Sequence, residues 1–178
     1  MKDVTSTSFG LLMAYLLPGL VGLYSFTFWS VDLRKIFQTF LDAEWRAGLF
    51  ALLLAAALIT GLLVGAVRTV LVELLASHFK APHLSPDSFK KLTNEKFSVF
   101  SYVVDENFRY HQFWAGMVLV MPIFFCGLMK ESWDKIACGR IAILFAGFAA
   151  IELITCVASW TSYQRFVDRA KIILEGGQ

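Results

Sequence analysis

Glu152 is the one charged residue between Arg140 and Arg165, twelve positions after the first and thirteen before the second. A carboxyl group near the middle of an apolar helix costs roughly 2.5 kcal/mol or more in a bilayer unless it is protonated, paired or wetted, and such acids serve proton relays and cation paths. Helical spacing puts Ala149, Thr155, Cys156, Ser159 and Tyr163 on its side of the helix, so two hydroxyls flank the acid. In the other apolar runs Tyr15 and Thr60 fall at comparable depth, whereas Lys, Arg and His do not. Without a cation nearby, a neutral acid hydrogen-bonded to Thr60 or Tyr15 is the simplest resident state. The alternative is that Glu152 binds a proton or cation in a watery cavity. Glu152, Thr155, Ser159, Thr60 and Tyr15 are therefore the ion or proton candidates. Pro18 frees the carbonyl four residues earlier, at Ala14, and freed carbonyls can coordinate cations, but ordinary helix packing is the first explanation of a proline in such a run.

Other reactive types are less well placed. His78, His83 and His111 occur without a cysteine pair or an H-E-x-x-H arrangement, so no metal site is expected. A serine nucleophile would need a base and an orienting group at its own depth, and no run supplies that set. A non-enzymatic chain without a cofactor is the expectation. His111 stands with Arg109, Tyr110, Gln112, Phe113 and Trp114 at the entrance to an apolar run, the composition of a headgroup-level anchor. Contact with a headgroup phosphate there would need a second nearby base. Three cysteines, an odd number with two inside apolar runs, do not indicate a disulfide framework.

The elements that must position these groups can be read from composition. Of 178 residues, 57% are hydrophobic and 17% charged, with a mean hydropathy of +0.63, far to the apolar side of a soluble domain. A helix needs about 20 mainly apolar residues to cross a bilayer. Runs at 9–29, 47–67, 113–129 and 141–163 meet that length, and tryptophans at 29, 45, 114, 133 and 160 mark their ends. The first run ends in aromatics with no small-residue cleavage site, so it reads as a retained span instead of a signal peptide. The expected fold is an all-α integral membrane protein, residues 1–178 forming a single membrane domain of four transmembrane helices. Residues 68–112 form a helical cytoplasmic segment between the second and third.

Ten Lys and Arg lie on the side of the termini and of 68–112, against six on the other. The positive-inside rule then puts both termini in the cytoplasm, in a multi-pass protein of the cell inner membrane. A net charge of +2 leaves no nucleic-acid footprint. Within 68–112, the second span continues as a helix before Pro82 and Pro86, and Ser85, Pro86 and Asp87 read as a new helix start. Phe100, Val104, Phe108 and His111 then make one apolar stripe leading into the third span. That stripe either packs on neighbouring helices or docks a soluble cytoplasmic partner, through Phe100, Phe108, Arg109 and His111.

Gly61 and Gly65, and Ala142, Ala146 and Ala150, have the small-xxx-small spacing that brings helices close, within one chain or in a homo-oligomer. The leading functional expectation is an oligomeric component that forms a regulated ion-conducting pore or anchors a soluble partner. Small effectors of bacterial stress or phage defence have this outline by architectural analogy. The alternatives are a proton- or cation-coupled carrier using Glu152, and then a lipid-acting enzyme.

Overall fold

The computed structural model describes residues 2–42, 47–79, 93–133 and 138–175. Among them there are six α-helices and no strand: α1 Lys2–Thr27, α2 Val31–Asp42, α3 Ala47–Phe79, α4 Asn94–Val103, α5 Arg109–Ser132 and α6 Cys138–Glu175. A π-helical turn, Val104–Phe108, joins α4 to α5. Three stretches are long and apolar enough to cross a membrane: Ala47–Leu71 in α3, Arg109–Ser132 in α5 and Arg140–Leu174 in α6. The apolar part of α1, Leu12–Thr27, is shorter. At 1.5 Å per residue it reaches about 24 Å, against a hydrocarbon core of about 30 Å.

α1 is the centre of the bundle, packed between α3 and α5. Glycine explains why it comes so close. A Cβ on Gly19 would overlap the Ala57 carbonyl oxygen, and one on Gly61 would overlap the Tyr15 carbonyl oxygen, so the backbones of α1 and α3 are in contact. These pairings make the two helices antiparallel. Gly116 lies against the Pro18 ring and Gly127 against Phe28, which aligns α5 parallel to α1. Ser25 and Thr27 are buried in the same helix without penalty, because each hydroxyl donates to its own backbone, at Val21 and Tyr24.

α6 joins the bundle through α5, α4 and the π-helical turn. Phe125 stacks on Phe148 at 4.2 Å and meets Phe145 edge-on, pinning one end of α6 to α5. The opposite side of α6 is open: Ile143 is 72% exposed and Leu153 66%. In water such a surface would be costly; in lipid it is the solvent-facing side.

The connection after α1 is more structured than a short loop. Ser30 caps α2 by accepting the Leu33 N–H at 3.3 Å. Arg34 then pairs with Glu131 at 3.0 Å and donates to the Thr27 carbonyl. Lys130 sits over the Trp29 ring, 4.7 Å from its centroid. Val31 and Ile36 are exposed on α2, an arrangement suited to a helix lying in the membrane interface. The sequence-predicted turn at Pro82 and Pro86 and the helix start at Ser85 lie outside the described residues.

Candidate functional site

One line of polar groups runs along the side of α6 that meets α5. Thr155 is 5% exposed, and Glu152 and Ser159 are half-buried one turn to either side of it. The 3.6-residue period that buries Thr155, Val167 and Ala170 on this side turns Ile143, Ile154 and Val157 outward. Of the sequence-predicted stripe, Thr155 is buried and Glu152, Ser159 and Tyr163 are half-buried, whereas Ala149 and Cys156 are exposed.

Glu152 Oε2 is shut off from solvent and has no hydrogen-bond partner. The hydroxyls expected to serve it are committed elsewhere. Thr155 Oγ1 donates to the Glu152 backbone carbonyl at 2.8 Å, leaving the carboxyl group alone. Thr60 Oγ1 donates to the Ala56 carbonyl at 2.9 Å, and its methyl group faces Gly22 of α1. The Tyr15 ring lies against Gly65 of α3. Glu152 Oε2 therefore has neither expected partner, and for Thr60 the physical reason is that an i−4 backbone carbonyl holds its hydroxyl first.

Seven residues along α6 from Glu152, about 10 Å at the helical rise, Ser159 meets His111 of α5. Nδ1 of His111 is 3.0 Å from the Ser159 carbonyl oxygen and 3.1 Å from its Oγ. A proton on Nδ1 donates to the carbonyl; without one, Nδ1 accepts from the hydroxyl and the proton resides on Nε2. Tyr163 lies 5.1 Å from the imidazole, centroid to centroid, and Phe108 lies 6.0 Å away while packing on Phe166.

The π-helical turn sets this register. Arg109 donates its N–H to the Val104 carbonyl five residues back, and the amide of buried Asn107 donates to the Val103 carbonyl. One extra residue in the turn rotates α5 about its axis relative to α4, and such bulges gather at functional sites. Phe108, His111 and the buried Val103 consequently face the protein, which is the packing alternative for the Phe100 stripe. Arg109 folds over Gly10 of α1, its Nη1 3.0 Å from where a Cβ would stand.

Arg68 is the residue that sequence reasoning missed. It ends the apolar run of α3 and looks like a boundary charge, yet it is only 9% exposed. Its charge lies within electrostatic reach of Tyr15 and His111. Gly65, one turn earlier, makes this fit: the Tyr15 ring occupies the space its Cβ would need, at 3.0 Å. The usable signal was the Gly65–Arg68 spacing opposite a tyrosine. Gly61 and Gly65 thus pack within one chain, whereas Ala142, Ala146 and Ala150 are exposed, with open space around neighbouring Gly147.

His83 lies outside the described residues, and His78 lies on the last turns of α3. Among the described residues no three His, Cys, Asp or Glu side chains converge on a metal position. No protein-family model matches the sequence, and no curated protein or solved structure matches it.

Proposed function

We propose that the protein is a non-enzymatic, four-span component of the bacterial inner membrane that acts as a homo-oligomer and passes a proton or cation, with Glu152 as the binding group. The observation that carries this reading is the solvent-inaccessible, unpartnered oxygen of Glu152 on the internal face of a helix long and apolar enough to span a membrane. An acid kept there adds no hydrogen bond to the fold and carries the cost of an unpaired polar group, so its use lies in what it takes up. Thr155, Ser159 and His111 continue the polar line toward the end of the bundle where Arg68 lies.

Oligomerisation supports the same reading. Backbone contact between α1 and α3 fills the space inside that helix pair. α6, by contrast, is covered on one side only, and its Ala142, Ala146 and Ala150 spacing permits close approach of a second copy. α1 completes the fourth span by virtue of its central place, and the Lys and Arg bias orients the termini inward.

Liposomes loaded with a pH-sensitive dye test the reading. After a pH jump, the wild type is expected to pass protons or a supplied monovalent cation, and Glu152→Gln to lose that flux at equal incorporation. Equal flux in both would refute the role of Glu152. Mass in detergent separates the forms: a closed ring fits a pore, and a lone monomer leaves the carrier.

A second reading, an anchor for a soluble cytoplasmic partner, is favoured by α4, where Phe97, Val99 and Tyr102 are more than half exposed. Phe108 and His111 are occupied inside the bundle, so these α4 residues would take over the contact. A soluble protein that copurifies with the wild type and is lost from Phe97→Ala/Tyr102→Ala would support it.

A further inference from the structure

We infer that the species handled at Glu152 is a proton and not a metal cation, and that the His111 imidazole relays it between that site and water at the start of α5. The inference rests on the proposed role of Glu152 and specifies it. A metal ion and a proton ask different things of an acid. Divalent cations take six or more oxygen ligands, and channel filters use rings of carbonyls or of charged side chains. A proton needs one oxygen. Glu152 Oε2 is enclosed without a hydrogen-bond partner, and the Thr155 hydroxyl one turn on is committed to the Glu152 backbone carbonyl. A ring of acids from several copies would need the carboxyl groups to face one another, whereas this oxygen is enclosed within its own chain. It can be protonated where it stands; a cation there would be short of ligands.

His111 has the contacts of a relay. Its Nδ1 stands 3.0 Å from the Ser159 carbonyl oxygen, which accepts, and 3.1 Å from the Ser159 hydroxyl, which can donate. With a proton on Nδ1 the carbonyl satisfies it; without one the hydroxyl does. Both states of the nitrogen are met with the ring in one place, and a histidine held for packing alone needs only one of them. The hydrogen bonds of His111 run through Nδ1, and Nε2 is not among the enclosed unpartnered atoms of the described residues, so it stays open to its surroundings. His111 lies near the start of the Arg109–Ser132 stretch, where water reaches the headgroup level.

The step balances in protons. One from water adds to the Nε2 lone pair and gives the imidazolium. The Nδ1 proton then passes to the Ser159 hydroxyl, which hands its own to water, and water carries it about 10 Å along α6 to the Glu152 carboxylate. Exchange of the ring proton between its two nitrogens through water resets the relay. Tyr163 of α6 lies 5.1 Å from the imidazole, Phe108 of the π-helical turn lies 6.0 Å away, and the charge of Arg68 on α3 reaches it. A hydrated metal ion would have to displace these rings; a proton crosses on the imidazole with the rings in place.

Liposomes holding the full chain test the relay, with proton uptake read by an enclosed pH dye and cation uptake by radioactive sodium and rubidium. The wild type is expected to take up protons and neither cation. His111→Gln can still donate to the Ser159 carbonyl but cannot take up and release a proton. It should keep the wild-type thermal stability and lose at least about tenfold of the proton flux, since a positioned proton-transfer group contributes about 10²–10⁴-fold. His111→Ala should lose as much and recover when imidazole is added; a loss that imidazole does not restore assigns the ring a structural role and overturns the relay. Proton flux that needs Glu152 but is unchanged in His111→Gln overturns this inference and leaves the proposed function standing, as does sodium or rubidium uptake that is lost in Glu152→Gln. Proton flux unchanged in Glu152→Gln strikes the underlying reading, and the relay with it. Should both His111 variants fail to fold, Ser159→Ala decides. It removes the hydroxyl and keeps the carbonyl, so proton flux is expected to fall severalfold, and unchanged flux overturns the relay.

Discussion

Replacing Gly61 by alanine is expected to destabilise the bundle by about 1–3 kcal/mol, the usual range for overpacking a filled site. The magnitude rests on the atoms that the new methyl group would meet. At Gly61 it overlaps the Tyr15 carbonyl oxygen, with the Tyr15 carbonyl carbon at 2.7 Å. Neither atom belongs to a side chain that can turn aside. Only separation of α1 from α3 relieves the overlap, and a gap of about 0.5–1 Å forfeits a quarter to a half of each dispersion contact across the crossing. Gly147 and Gly48 provide the comparison, since an added Cβ there meets nothing within 4 Å. Alanine's higher helix propensity hardly alters the contrast, because spans already helical in the membrane keep their helices when the bundle comes apart. Reversible unfolding of full-length protein in mixed micelles, followed by tryptophan fluorescence, measures the difference. Gly147→Ala should lie within about 0.5 kcal/mol of the wild type, as substitutions away from contacts do. Gly19→Ala, at the same crossing, should resemble Gly61→Ala, and the double variant should cost less than the sum, because the first methyl group already moves the helices apart. Gly61→Ala as stable as Gly147→Ala would refute the backbone contact.

Glu152→Leu should be neutral or stabilising in the same assay while abolishing flux, since it removes an unpaired buried oxygen; marked destabilisation would reveal a hidden partner. Thr60→Val should keep wild-type flux, because the Thr60 hydroxyl serves the Ala56 carbonyl, and lost flux would return Thr60 to the ion path. A double-mutant cycle on Arg34 and Glu131, both substantially exposed, should give a coupling of about 1 kcal/mol or less that shrinks with salt.

The helices were legible because a bilayer imposes length and apolarity on any element that crosses it. The runs 47–67, 113–129 and 141–163 all fall inside helices of sufficient length, and α3 continues beyond its apolar part as the Val70–Leu75 spacing implied. The run 9–29 was harder. Its apolar stretch is interrupted by Pro18, Gly19 and Gly22, which lower hydropathy while creating the closest packing in the bundle. Small residues are weak in a hydropathy sum and strong at a crossing. α2 escaped notice because Val31–Asp42 carries Asp32, Arg34, Lys35 and Asp42 among its apolar residues, so charge masked a helix whose order comes from Ser30 and the Arg34–Glu131 pair.

The site was half legible, and the missing half has one cause. Residues on a single helix, Glu152, Thr155 and Ser159, could be placed on a common face because the period of that helix is known. Partners on other helices could not, since the vertical offset between helices depends on crossings set by Gly19, Gly61 and Gly116 and on the π-helical turn before Arg109. An added residue in that turn rotates α5 relative to α4 and brings His111 onto Ser159. Arg68 enters for a related reason: with Gly65 in place of any larger residue, the Tyr15 ring packs against α3 one turn from the buried Arg68. His111 and the acid therefore occupy different levels of one polar line, the imidazole at Ser159 and the acid about 10 Å away along α6. Separation keeps Glu152 from being neutralised by a salt bridge, which would remove its capacity to exchange a proton. A base one turn from the acid would have made a stable pair; with His111 two turns away at Ser159, the acid's occupancy is left to whatever reaches it.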